Sequence, residues 1–219
     1  IIKRGIKIKW FATGEVHSIA HYKEETLDLM AESGCLCIYL GGETACAETM
    51  RMIDKNMKVG ETEKSVSRLI SRKIIPELSY LVGFPDESPE SIEETIDEWR
   101  RIKMRYPGTV TVIRYFVPLP GTGFYSRALQ LGYKDPKFPE GYRKYTEDIF
   151  WNFTATGWVK KSQVKKIHRY QYIYFRWAYD ILHEKPRLNL VQKILNKSAL
   201  FRIKHKISAL PFEFWLYNL

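Results

Sequence analysis

Four short apolar runs, at residues 6–12, 36–40, 78–82 and 110–117, alternate with amphipathic stretches of helical period. That alternation limits what the chain can fold into more than any other feature. A helix between two strands carries the chain back to its starting end, so the strands run parallel and the fold is α/β. The helical stretches carry their own punctuation. In residues 22–33, Leu27, Met30 and Ala31 share a face and Gly34 stops the helix; in residues 61–72, Val66, Leu69 and Ile70 recur at helical spacing. Ser88 is placed to cap a third helix with Pro89 at its first position, and Glu90, Glu93 and Glu94 lie toward the positive end of its dipole. Ile92, Ile96, Trp99 and Ile102 then form one apolar face.

The residues just past each strand bear on function. Gly14-Glu15 comes after the first and Gly41-Gly42-Glu43 after the second. Gly83-Phe84-Pro85-Asp86-Glu87 succeeds the third, and Pro118-Leu119-Pro120-Gly121-Thr122-Gly123 the fourth. All four are carboxyl-end loops, where parallel sheets bind their ligands. Glycine lets main chain approach a ligand closely, and proline stiffens a corner without adding a donor. The set suits a flat ligand laid against backbone, although economical turns account for any one loop alone.

Composition narrows the classes further. In 219 residues, 45% hydrophobic and 14% aromatic content excludes a disordered chain. The net charge of +10 is unevenly placed: basic and acidic residues balance through residue 158, while residues 159–206 set 13 Lys and Arg against Asp180 and Glu184. Cys35, Cys37 and Cys46 fit a reducing, cytoplasmic setting. Their spacing matches no zinc or cluster motif, so they read as small buried hydrophobes. No run of about 18 apolar residues spans a membrane. The opening residues, Ile1-Ile2-Lys3-Arg4, have neither a starting Met nor an apolar signal core, and read as an excerpt from something longer. His17 and His21, just past the first strand, read as surface or capping residues.

The stretches CIYLGGETACAETMRMIDKNM, LSYLVGFPDESPESIEETI and VIRYFVPLPGTGFYSRALQLGY together resemble the C-terminal half of a radical S-adenosylmethionine (SAM) enzyme core, of the group that carries an upstream cobalamin-binding domain. The elements Gly41-Gly42-Glu43-Thr44, Gly83-Phe84-Pro85-Asp86-Glu87-Ser88 and Pro118-Leu119-Pro120-Gly121-Thr122 occur in that group's order over residues 5–135. The resemblance implies a partial (βα) barrel, of which residues 1–135 supply strands three to six, with residues 136–219 a basic, aromatic-rich helical extension. It implies binding of SAM and a 4Fe-4S cluster whose Cys-x-x-x-Cys-x-x-Cys ligands lie outside these residues, with cobalamin as a further cofactor. The implied chemistry is generation of a 5′-deoxyadenosyl radical or methyl transfer through cobalamin, with an electron donor for the cluster and a small-molecule or lipid-like substrate. By the same resemblance Gly41, Gly42 and Glu43 approach the SAM ribose or amino group. Leu81, Gly83, Phe84 and Pro85 bracket adenine, Glu87 orients that loop, and Pro118 and Pro120 shape the rim. Asp86 stands where the group usually has glycine.

The tail has its own pattern. Ile167, Tyr170, Tyr174, Trp177 and Ile181 form one apolar stripe, and Tyr172, Phe175, Tyr179 and Leu182 a second. Pro186 precedes another helix, near 188–207, that bears Lys193, Lys197, Arg202, Lys204 and Lys206. So broad an apolar arc packs on the body of the protein. The alternative is a non-catalytic module that docks its basic aromatic tail on anionic membrane or RNA and is indifferent to SAM. Nucleic acid is the weaker of these two, because the charge comes without a recognised RNA-binding module.

Overall fold

In the computed structural model, β1 (Trp10–Gly14), β2 (Cys35–Glu43), β3 (Ile75–Val82) and β4 (Val110–Tyr115) lie side by side in chain order, each neighbouring pair parallel. The described residues are 1–137, 141, 157–180, 187–209 and 211–217. A sequential order adds every strand to the same growing edge, and right-handed crossovers then place the helices on one face. On that face Ile38, Leu40, Leu78, Tyr80, Val82 and Ile113 are buried beneath α1 (Val16–His21), α2 (Glu24–Glu32), α4 (Glu61–Ile70) and α5 (Pro89–Arg105). The other face is uncovered enough to carry polar groups. Along it the register aligns Thr13, Tyr39 and Glu77 in one row, Gly41 and Ser79 in the next, and Leu81 with Arg114 in the last.

The first strand begins later than the sequence indicates. Residues 6–9 lie outside the ladder, with Ile6 and Ile8 exposed. Pairing starts at Trp10, whose indole Nε1–H reaches the carbonyl and hydroxyl of Ser33 at 3.2 Å and so ties the strand to the end of α2. At the other limits β2 runs on through Gly41 to Glu43 and β4 stops at Tyr115, two residues early. The six-residue helices, among them α1 and α3 (Ala47–Met52), escape the periodicity argument, because six residues are too few to show a period. The third helix is as its sequence indicates: the Ser88 hydroxyl accepts from the Ser91 N–H at 3.1 Å, and Pro89 opens α5.

After α6 (Tyr125–Gln130), the chain returns as α7 (Lys161–Arg169), which continues through two wider, π-helical segments, Tyr170–Tyr174 and Arg176–Asp180. Trp99 of α5 lies fully buried against Tyr170 and Phe175, with ring centroids 6.4 and 4.7 Å away in edge-on geometry. Ile167, Tyr174, Trp177 and Tyr179 are buried with them, while Tyr172 is exposed; Ile181, Leu182 and Pro186 lie outside the described residues. The π-helical segments also close the sheet. Ile113 on the outer strand donates its N–H to the Gln171 amide oxygen at 3.1 Å, which satisfies a group that an open edge leaves free. α8 (Leu190–Lys204), begun by a reciprocal Asn189–Gln192 capping box, comes next, and Arg100 donates to the Ile203 carbonyl at 3.0 Å. α9 (Phe212–Tyr217) completes the described chain and buries Phe214 against Tyr174 and Trp177. Some of the tail's basic charge is paired within the chain at its surface, since Lys166 pairs with Glu93 at 2.6 Å and Lys206 with Asp97 at 2.5 Å, both acids on α5.

Trp99→Ala therefore removes the α5 ring that packs against Tyr170 and Phe175 of the tail, and lowers unfolding stability by about 3–5 kcal/mol in urea titration. Leu190→Ala, at an exposed position, changes it by less than about 0.5 kcal/mol.

Candidate functional site

The end of β2 is bent by a bulge. Gly41 pairs with Ser79 and Glu43 with Tyr80, so Gly42 is the inserted residue and lies buried against the Tyr80 ring. The bend leaves Glu43 in the left-handed region at φ 46°, a costly conformation for a residue with a side chain. Its carboxylate folds back over Gly41, where a Cβ would stand 2.5 Å from Glu43 Oε1. Lys55 Nζ meets the same oxygen at 2.9 Å. Glu43 caps no helix: α3 is preceded by Cys46, and it is the Thr44 hydroxyl that accepts the Cys46 N–H at 3.2 Å. The Glu43 carboxylate instead faces a cleft of about 270 Å³, lined among others by Thr13, Gly14, Tyr39, Gly41, Glu43 and Lys55.

The Gly-Phe-Pro-Asp-Glu turn after β3 is held by its own last residue. Glu87 Oε2 accepts the Gly83 N–H at 2.6 Å and the Phe84 N–H at 3.2 Å, and Oε1 accepts the Ser91 hydroxyl at 2.9 Å. Burial pushes the Glu87 carboxyl above its ordinary range, and these hydrogen bonds only partly oppose it. From the other side Trp158 donates its indole N–H to the Gly83 carbonyl at 2.9 Å. Asp86 adopts φ 66°, the conformation that glycine takes most easily and aspartate tolerates. Its two oxygens receive Arg127 Nε and Nη2 at 2.6 Å each, which ties the turn to α6. That pair is half-exposed, so its worth lies in geometry more than in energy.

After β4, residues 119–122 make a turn with Pro120 second and Gly121, at φ 84°, third; the Thr122 N–H and hydroxyl both donate to the Leu119 carbonyl. Phe84, Phe116 and Phe124 stack between the last two loops, with centroids 4.8–5.8 Å apart. Hydroxyls join the loop after β2 and α3 to α5 beneath the surface. Thr49 and Ser91 lie 2.6 Å apart, and Thr44 and Thr95 3.0 Å, while Thr95 also accepts the Ala45 N–H.

The loops thus meet at one rim, but the named residues divide. Gly41 and Glu43 line the cleft, and Leu81 lies half-buried on the uncovered face. Gly42, Gly83, Phe84, Pro85 and Pro118 are buried, and Pro120 is exposed. The polar main chain of Gly83 and the Phe84 N–H are engaged within the protein. Lys55, Tyr39 and Trp158 have no local sequence signal, because each reaches the rim through the fold. The cysteines are free. Cys37 donates to Glu77 at 3.9 Å, and burial followed by that carboxylate raises its pKa, which disfavours thiolate.

No protein-family model matches the chain. Over 146 residues it is 27% identical to an uncharacterized methyltransferase of Pyrococcus horikoshii, a span that covers 67% of this chain and 30% of that protein. Over 95 residues it is 27% identical to an anaerobic magnesium-protoporphyrin IX monomethyl ester cyclase of Rubrivivax gelatinosus, covering 43% of this chain and 17% of that protein. The chain is a distant homologue of methyltransferases and cyclases. It spans under a third of the length of these relatives. Among solved structures it matches the cobalamin-dependent S-adenosylmethionine radical enzyme OxsB, with aqua-cobalamin and S-adenosylmethionine bound, at a TM-score of 0.50 and 15% identity over 98% of this chain and 35% of that one. At that identity the match establishes a shared fold.

Glu87 has a raised folded-state pKa, so its contribution to stability is fully present below the unfolded value of about 4.5 and is lost as pH rises through the folded value. Glu87→Gln removes this dependence. The wild type loses stability relative to the variant across that window in pH-resolved urea titrations, and parallel curves contradict the assignment.

Proposed function

We propose that this chain is the C-terminal part of a radical SAM enzyme core of the cobalamin-dependent type, and that the cleft at the β1–β2 rim receives part of SAM. The observation that carries this reading is Glu43, a carboxylate turned by a strained bulge toward a cleft at the carboxyl ends of parallel strands. The donor set fits a nucleoside: the Glu43 carboxylate accepts two hydrogen bonds from a cis-diol, and the Tyr39 ring and Gly41 backbone border it. An iron–sulfur cluster does not fit the residues present. Cys35 and Cys46 are buried, Cys37 is engaged with Glu77, and the ligands for a cluster belong outside this chain.

When bound, the cofactors supply the sulfonium and electron-transfer chemistry; this chain's share is positioning and exclusion of water. Glu43 holds the nucleoside, Lys55 neutralises Glu43 before the ligand arrives, and the self-bonded β3 turn keeps the rim rigid. The substrate is a small or lipid-like molecule on the uncovered sheet face. In calorimetry on the full-length protein, Glu43→Ala weakens SAM binding by about 10- to 100-fold. Unchanged affinity removes Glu43 from the site.

A second reading, peripheral contact with anionic membrane, is favoured by the outer face of α8. Leu190, Ile194 and Phe201 are more than half exposed there and share one side of the helix, with Lys193, Lys197 and Lys204 along its flank. Among the described residues no helix is long and apolar enough to cross a membrane. Sedimentation with phosphatidylserine vesicles retains the full-length protein and releases Ile194→Ser/Phe201→Ser. Equal recovery with neutral vesicles, or none with either, counts against it.

A further inference from the structure

His17 and His21 are four residues apart, so they share one face of α1. Across from them Glu61 opens α4, with its side chain only 9% exposed. His17 Nδ1 lies 3.1 Å from Glu61 Oε2, and His21 Nε2 lies 2.8 Å from Glu61 Oε1. One donor atom from each of the three residues lies within 4.8 Å of the other two. We propose that His17, His21 and Glu61 form a divalent-cation site, with Zn²⁺ the best-matched ion and water or an exogenous ligand at the fourth position.

Several features separate this group from an ordinary histidine–carboxylate contact. Two rings on one helix present different nitrogens to the two oxygens of a single, largely buried carboxylate. Zinc bonds of about 2.0–2.1 Å in a tetrahedron place neighbouring donors about 3.4 Å apart; each histidine nitrogen lies 2.8–3.1 Å from a Glu61 oxygen and all three donors lie within 4.8 Å, so a cation draws them together by a small adjustment. Two imidazoles and one carboxylate form a His₂Glu donor set that leaves one position open and suits zinc better than the harder calcium or magnesium. The half-exposed rings leave that position facing solvent.

The supports are as specific as the ligands. Lys58 donates its N–H to Glu61 Oε2 at 3.0 Å and orients the carboxylate. Ser65 and Arg68 of α4 donate to the Val16 and Ile19 carbonyls at 2.8 and 2.7 Å, which fixes the helix carrying both histidines against the helix carrying Glu61. His17 also borders the cleft that contains Glu43 and Lys55. A cation here stands beside the proposed nucleoside site, but its donor set is complete without that site.

The test uses chelator-dialysed full-length protein titrated with Zn²⁺ alone by calorimetry, and with Co²⁺ by visible absorption. The wild type takes up one equivalent more than His17→Ala or His21→Ala, with the intense visible bands of four-coordinate Co²⁺ that both variants lose. His21→Gln, which keeps a hydrogen bond to Glu61 without the imidazole, remains folded by circular dichroism and loses the equivalent. Equal uptake by wild type and all three variants, or no uptake by wild type, overturns the site.

Discussion

Parallel pairing of four strands in chain order governs the rest of this molecule. It sends every crossover to one side, so the helices bury one sheet face and leave the other for polar groups such as Thr13, Tyr39 and Glu77. It also gathers four loops, far apart in sequence, at one rim. The same arrangement creates an edge at β4, which the tail covers by offering the Gln171 amide to the Ile113 N–H.

At the rim, many motif residues act on their own loops. Glu87 binds the two backbone N–H groups at the start of its turn, Asp86 takes the left-handed conformation, and Gly41 leaves room for a carboxylate. Thr44 and Thr49 then bind Thr95 and Ser91 of α5 through buried hydroxyls, which joins the segment after β2 to the helix after β3. A site for a ligand needs such rigidity, because groups held in place beforehand do not have to be ordered on binding. The surface left for chemistry is correspondingly small: Glu43, Tyr39 and Lys55 beside the cleft, with the His17–His21–Glu61 group at its margin.

The tail combines two roles that composition alone merges. Its aromatic stripes complete the core around Trp99, and Lys166 and Lys206 answer the acidic side of α5. The lysines of α8 flank an apolar outer face, so the positive charge that looks uniform in sequence serves different surfaces.

The sequence by itself determined the alternation of strands and helices, the parallel sense of the sheet, the Ser88–Pro89 start of α5 and the apolar face of Trp99. Each is written in local periodicity or in a residue's own backbone preference. Tertiary structure decided where β1 begins, because Ile6 and Ile8 look as strand-like as Phe11 until Trp10 finds Ser33 and Cys35. It decided the pairing of Lys55 with Glu43 and of Trp158 with Gly83, contacts between positions 12 and 75 residues apart. It also brought His17 and His21, which stay at the surface as the sequence indicates, into one group with Glu61, 40 residues beyond His21. Spacing along a chain records which residues share a helix face or a turn; only packing of one element on another records which side chains converge.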